Sequence, residues 1–357
     1  MRRTPVLIAG GGPAGAAAAI TLARGGARPL LVERSSGPRD VVCGGFLGWD
    51  ALARLEALGL DPAALGARPI TRLRLVAGGR AVEAALPHPA AGLSRRVLDE
   101  ALLARAEATG AQLMRGRTVR SAQATRVRLD GEEELIGTAL FLATGKHELR
   151  GAVRKTGGRA VSAGLRAALP PDPARTRALA GCIELHLLRG GYAGALLQED
   201  GTTNFCLSVE KARMAQAGGI GSLLSDMARD APLMAERLDG YEGRWDAIAG
   251  VPYGWRAATT EPAVYRVGDQ GAVIASLAGD GVAIALASGT GAAEAYLRGE
   301  NAAAWQRRFS RQAARPITVA ETLRHAAEES WGHALLPRLA GWSPALARAA
   351  ARLTRIG

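Results

Sequence analysis

The sequence predicts a mixed α/β (α+β) protein with two interleaved domains and a helical, basic C-terminal region. Three observations predict it. At residues 4–33 an apolar strand runs into a glycine turn, a small-residue helix and a second strand ending in an acid. A further apolar strand, TALFLATG, lies at 138–145. Five other strand-like stretches, at 70–76, 161–169, 182–188, 192–197 and 204–209, supply a separate sheet. The chain has 357 residues, enough for two domains, and is 48% hydrophobic, enough for a sizeable core.

The N-terminal unit can be justified piece by piece. Thr4–Ala9 is short and apolar, the pattern of a buried parallel strand. It enters Gly10-Gly11-Gly12-Pro13-Ala14-Gly15, which fits G-x-G-x-x-G. Gly10 permits the tight turn, Gly12 lets the backbone approach a pyrophosphate, and Gly15 lets helix and strand pack closely. The helix from Ala14 to Arg24 offers free N–H groups and partial positive charge to phosphates. The strand RPLLVE then ends in Glu33, 23 positions after Gly10, where a carboxylate accepts ribose hydroxyls. The order of strand, turn, helix, strand and acid predicts a dinucleotide site. Gly289-Thr290-Gly291 and Gly219-Ile220-Gly221 lack a preceding strand and read as close packing or turns.

Composition excludes other classes. The three cysteines, Cys43, Cys182 and Cys206, are widely spaced and form neither a disulfide framework nor a CxxC metal pair. A reducing, cytoplasmic compartment fits, and no metal site is expected. The formal charge is +12, nearly all from arginine, since Lys146, Lys155 and Lys211 are the only lysines. Such a charge attracts nucleotides and acidic lipid surfaces. Without zinc-finger spacing, an RNP-like strand or a compact basic run, specific nucleic-acid binding is not expected. The opening MRRTPVLIAGGGPAG imitates a signal peptide, but Gly10–Pro13 interrupt its apolar run. No apolar run reaches the roughly 18 residues that span a bilayer.

Later motifs add to the glycine turn: Ser94-Arg95-x-x-Leu98-Asp99 opening a helix to Gly110, the strand end Ala143-Thr144-Gly145, Gly268-Asp269, and Gly279-Asp280-Gly281-Val282-Ala283. In this order the chain resembles the FAD-dependent para-hydroxybenzoate hydroxylase superfamily, in the geranylgeranyl reductase-like branch. The resemblance covers most of residues 4–298. It implies a glutathione reductase-like FAD-binding Rossmann domain with an interleaved β-sheet substrate domain. The FAD-binding domain would take 1–68, 93–150 and 262–298, the substrate domain 69–92 and 151–261, and the helical region 299–357. FAD is the implied cofactor, with NAD(P)H or a redox protein as transient reductant. Gly10, Gly12, Pro13, Ala14, Gly15, Glu33, Arg34, Arg95, Ala143, Thr144 and Gly145 would line its site. Asp269 would accept a hydrogen bond from the ribityl chain. Gly281, Val282 and Ala283 would open a long helix whose N–H groups face the flavin N1/C2=O edge, where reduced flavin carries negative charge.

The resemblance also places the loop VERSSGPRDVVCGGFLG, residues 32–48, along the flavin. Geranylgeranyl reductases are similar in having a Cys-Gly pair there, so Cys43 and Gly44 would touch the ring. The thiol either donates a proton or fills a small apolar gap. Tyr192 is the second candidate proton donor, in a segment where those reductases carry an aromatic motif; here its tryptophan and proline are absent. Cys182 and Cys206 read as core, His186 as a satisfied core histidine and His147 as a loop residue near the site. Val251–Trp255 borders the substrate or closes the sheet.

Three functions are carried forward. The first is reduction of C=C bonds in an apolar, prenyl- or polyketide-like substrate by reduced flavin. The second is a monooxygenase acting on an aromatic or quinol. The third is a flavin electron carrier without its own substrate. In the tail, Ser343-Pro344 caps a helix. Its apolar face carries Leu346, Ala350, Leu353 and Ile356, and its basic face Arg348, Arg352 and Arg355. Such a helix packs on the body with a solvated arginine face, or makes peripheral contact with the inner face of an acidic membrane.

Overall fold

The first sheet has a parallel core in the order Gln112–Arg115, Leu30–Glu33, Arg2–Ala9, Glu134–Leu142. Arg126–Leu129 and Val119–Gln123 continue it antiparallel, and Val264–Arg266 pairs parallel with the far half of Glu134–Leu142. This is a computed structural model that describes residues 2–158, 162–342, 349 and 352–356. The central strands are apolar on both faces because both faces are covered. Val6, Ile8, Leu31, Ala139 and Phe141 pack against helices. Leu7, Ala9, Leu30, Val32 and Leu140 pack with Val127 and Leu129 on the other side.

The helix Pro13–Arg24 follows the glycine turn and is buried along most of its length. Small side chains let it lie between the sheet and a second buried helix, Gly281–Leu297. The two touch where a Cβ on Gly289 would stand 2.1 Å from the Ala14 carbonyl oxygen. Gly289-Thr290-Gly291 therefore marks close packing, as its missing strand predicted.

The second sheet runs Asp246–Val251, Ser162–Leu169, Thr203–Glu210, Gly191–Leu197, Cys182–Leu188, Arg68–Ala77, Arg80–Gly92, Phe46–Leu47. Alternation along each strand separates two faces. Leu165, Ala167, Ala193, Ala195, Phe205 and Leu207 join the helices Ile220–Asp230 and Pro232–Leu238 in an outer core. The other face carries Gly164, Ser208 and Tyr192 in one register row and Arg166, Cys206 and Gly194 in the next. Cys206 thus corrects the sequence reading. It belongs to this inner face, half-buried, while Cys182 is fully buried in the core.

Glu184 and His186 lie in the Cys182–Leu188 strand and are fully buried. Glu184 accepts from Arg74 at 2.7 Å and Arg237 at 3.1 Å, and lies 3.0 Å from His186 Nε2. His186 is therefore a core histidine. Burial pushes the Glu184 carboxyl up, but the His186 hydrogen bond and the arginines outweigh it and hold its pKa at about 2. A depressed carboxylate stabilises the fold above its ordinary pKa of 4.5, and the contribution is lost as pH falls towards about 2. Glu184→Ala leaves two arginines facing a buried gap, and should cost about 3–5 kcal/mol in chemical denaturation at neutral pH. The deficit against the native protein should shrink through that acid window.

In the tail, Ser343, Pro344, Leu346, Arg348 and Ala350 lie outside the described residues. Ile356 is buried and Leu353 exposed. Arg355 departs from the solvated face expected for it. It turns inward, with its guanidinium 4.1 Å from the centroid of Trp49.

Candidate functional site

The glycine turn is enforced by crowding. Gly10 has φ +107°, and a Cβ there would stand 2.4 Å from the Ala143 carbonyl oxygen. A Cβ on Gly15 would stand 1.9 Å from the Gly10 oxygen, whereas one on Gly12 would meet only the Arg95 guanidinium, at 3.3 Å. Pro13 opens the helix without a side-chain cap, which leaves its first N–H groups free for an anion. Glu33 is fixed by the N–H groups of Gly11 (2.7 Å) and Ser35 (2.9 Å), and keeps lone pairs for hydroxyl donors.

Beside Glu33, Arg34 lies 2.7 Å from His147 Nε2. Burial and then the nearby Arg34 charge lower the His147 pKa, so a neutral ring accepts from the guanidinium. The turn after Ala143 is tied by Thr144, whose hydroxyl donates to the His147 carbonyl at 3.0 Å, and by Gln270, which donates to the carbonyls of Gly145 and His147. Lys146 projects from this turn to Asp269, at 3.3 Å. Asp269 raises the Lys146 pKa and keeps the lysine charged. Lys146 was not singled out as a site residue, although the scarcity of lysine was a signal.

Arg95 opens the helix Arg95–Ala108, capped by Ser94, and pairs bidentately with Asp99 at 2.8 and 2.7 Å. Burial raises the Asp99 carboxyl, while the Asp99 charge keeps Arg95 protonated despite its own burial. Glu199 ties the helix start to the second sheet by accepting from the N–H and hydroxyl of Ser94, at 2.9 and 2.6 Å.

The Cys43 loop lies on the inner face of the second sheet. Asp40 pairs with buried Arg166 at 3.1 Å, and Val42 covers Gly164, where a Cβ would stand 3.1 Å away. The Cys43 carbonyl accepts from Asn204 at 3.0 Å and from the Cys206 thiol at 2.9 Å. Burial pushes the Cys206 thiol up to about 12, so it stays a donor. Gly44 faces open space.

The helix Gly281–Leu297 completes the cleft. From its contact at Gly289, eight residues carry its N-terminus roughly 12 Å towards the second sheet. That end has no side-chain cap, and Gly281 faces open space, with Val282 and Ala283 buried behind it. Above it Tyr192 lies 2.6 Å from the Ser276 hydroxyl and accepts from the Leu277 N–H at 3.1 Å. Tyr253 reaches the same serine at 2.9 Å. Burial raises the Tyr192 pKa well above its usual value, so it remains protonated. Ser276 and Tyr253 were missed as Tyr192's partners, because nothing local in the sequence joins them.

The two uncapped helix ends suit groups at opposite ends of one extended ligand: phosphates at Pro13 and an anionic ring edge at Gly281. Glu33 stands beyond the first, with Asp269 and Lys146 between them. Open space at Gly44, Gly145 and Gly281 leaves room for it. These residues fit FAD. Asp269→Ala should weaken FAD binding about tenfold, by removing a charged acceptor and orphaning Lys146. A fluorescence titration checks this; unchanged affinity would remove Asp269 from the cofactor site. Among the described residues there is no group of three or more His, Cys, Asp or Glu side chains that could hold a metal ion.

Residues 3–134 match the family described as FAD binding domain. The chain is 33% identical over 140 residues to a menaquinone reductase of Mycobacterium tuberculosis, covering 38% of this chain and 33% of the relative. It is 37% identical over 120 residues to the chloroplastic geranylgeranyl diphosphate reductase of Oryza sativa subsp. japonica, covering 32% and 25%. The matches thus span about a third or less of these relatives' lengths. Among solved structures, the flavin-dependent brominase Bmp2 superposes with TM-score 0.78 at 16% identity, covering 99% of this chain and 93% of that one. At that identity the likeness shows the fold alone: a Rossmann-like domain with an interleaved second sheet.

Proposed function

We propose that this chain, with its FAD-binding domain of the para-hydroxybenzoate hydroxylase superfamily, is a flavin-dependent reductase of C=C bonds in an apolar, prenyl- or polyketide-like substrate. When bound and reduced, FAD supplies the electrons for such a reduction. The observation that carries the reading is the seat of the Cys43 loop. Its backbone is held on the inner face of the second sheet by Asn204 and Cys206, and the Cys43 side chain packs against apolar core residues. Apolar surroundings of this kind favour an apolar substrate over one that needs polar recognition. A reduced double bond also needs a proton, for which the Tyr192 hydroxyl and the Cys43 thiol are the candidate donors. Tyr192 keeps its proton, and its hydroxyl is oriented by Ser276 and Leu277.

NAD(P)H or a redox protein would serve as transient reductant. Among the described residues no helix is long and apolar enough to cross a membrane, so access to a lipid-like substrate would be through peripheral contact. The test is product mass. Reduced protein incubated without oxygen with a polyprenyl alkene should yield a product two hydrogens heavier. Unchanged alkene, together with oxygen-dependent hydroxylation of an aromatic or quinol probe, would replace this reading with the monooxygenase one.

A further inference from the structure

We propose that Arg355 is a positioning residue of the flavin site: it neutralises buried Asp280 and pins the Cys43 and Ser276 loops together at the N-terminus of the Gly281 helix. The inference rests on the FAD reading above and adds a role for the far end of the chain. Asp280 is the residue before Gly281 and is fully buried. Among the described residues, the cation paired with its carboxylate is Arg355. Arg355 also lies 3.4 Å from Asp50 and stacks on Trp49, both in the helix Trp49–Ala57 that follows the Cys43 loop.

Neighbouring contacts tighten the junction. A Cβ on Gly48 would stand 2.5 Å from Arg355 Nη1, so the guanidinium passes directly over that backbone. A Cβ on Gly279 would stand 2.7 Å from the Phe46 ring, so the loop before Gly281 rests on the segment after Cys43. Arg54 anchors the tail by donating to the Ile356 carbonyl at 3.0 Å. One guanidinium thus bridges two segments far apart in sequence, both bordering the ring end of the cleft.

The charge matters as much as the contact. A buried carboxylate without its cation costs several kcal/mol. Placed at the helix end that faces the ring, it also opposes the negative charge that reduced flavin carries. Arg355 removes that opposition. Without it, FAD should bind less tightly in the reduced state than in the oxidised state, relative to the native protein.

Arg355→Met, Arg355→Lys, Asp280→Asn and the double variant Asp280→Asn/Arg355→Met decide the matter. Midpoint potentials are measured on FAD-loaded protein at alkaline pH. Arg355→Met should weaken reduced-state binding about tenfold against oxidised, a fall of about 30 mV for a two-electron couple. Arg355→Lys should recover most of the fall, and the double variant should return close to the native value. In FAD-free protein, Arg355→Met should also speed maleimide labelling of Cys43, located by mass spectrometry, at least ~5-fold. Native FAD binding with an unmoved potential, or a fall undiminished in the double variant, would overturn the electrostatic role. Equal labelling rates would overturn the pin. Failure of the native chain to bind FAD would sink the parent reading and leave the labelling comparison to decide the pin.

Discussion

Gly15→Ala is expected to purify without FAD. Its new methyl would stand 1.9 Å from the Gly10 carbonyl oxygen and 3.2 Å from the Ala143 Cβ. The nearest obstacle is backbone, so no flexible side-chain tip can yield. Either the turn opens or the helix Pro13–Arg24 slides from the sheet, and both moves displace the N–H groups meant for the phosphates. FAD affinity should fall at least ~100-fold, with a stability loss of about 2–4 kcal/mol from overpacking. Gly221→Ala is the matched control. It belongs to the near-match Gly219-Ile220-Gly221, lies inside the helix Ile220–Asp230 and faces open space. It should retain FAD and gain up to about 1 kcal/mol from better helix propensity. Flavin content and thermal unfolding read both. A yellow Gly15→Ala protein with native affinity would show that the turn does not hold the phosphates.

Cys43→Ser and Cys43→Ala should retain FAD and slow its reoxidation by alkene ~10²–10⁴-fold, the range for loss of a general acid. FAD is retained because the loop is held by backbone and neighbouring groups rather than by the thiol. The Cys43 carbonyl accepts from Asn204 and Cys206, and Asp40 holds Arg166. The reaction would slow because the proposed reduction needs a proton that the thiol would supply. Flavin reduction and reoxidation must be timed separately, since a misplaced loop slows both. Native reoxidation by alkene in both variants would make Cys43 a packing residue and leave Tyr192 as the donor.

The parts legible in the sequence were those with local causes. Gly10 and Gly15 of the turn are each demanded by a backbone carbonyl nearby. Five strands of the second sheet announced themselves by apolar residues at the spacing of a pleat, whereas Phe46–Leu47, Arg80–Gly92 and Asp246–Val251 did not. One signal was present but misread. Asn204, Cys206 and Ser208 alternate with Phe205, Leu207 and Val209, and that alternation separates an inner polar face from an outer apolar core. Cys206 was placed with the apolar set, yet it meets the Cys43 loop. Other features had no local signature. Tyr192 finds Ser276 and Arg355 finds Asp280 only after the two sheets are assembled. Arg355 also looked like one more arginine on a basic helix, because periodicity cannot tell a solvated cation from one drawn inward by a buried carboxylate.

The central claim is that the cleft delivers electrons from FAD to a carbon–carbon double bond. Single-turnover rapid mixing tests it most directly. Anaerobically reduced protein is mixed with a polyprenyl alkene in one experiment and with oxygen in another, and the return of oxidised-flavin absorbance is timed. The account predicts that alkene alone restores the oxidised spectrum in proportion to saturated product formed. Absorbance that returns only with oxygen, and is accelerated by an aromatic or quinol that becomes hydroxylated, would contradict it.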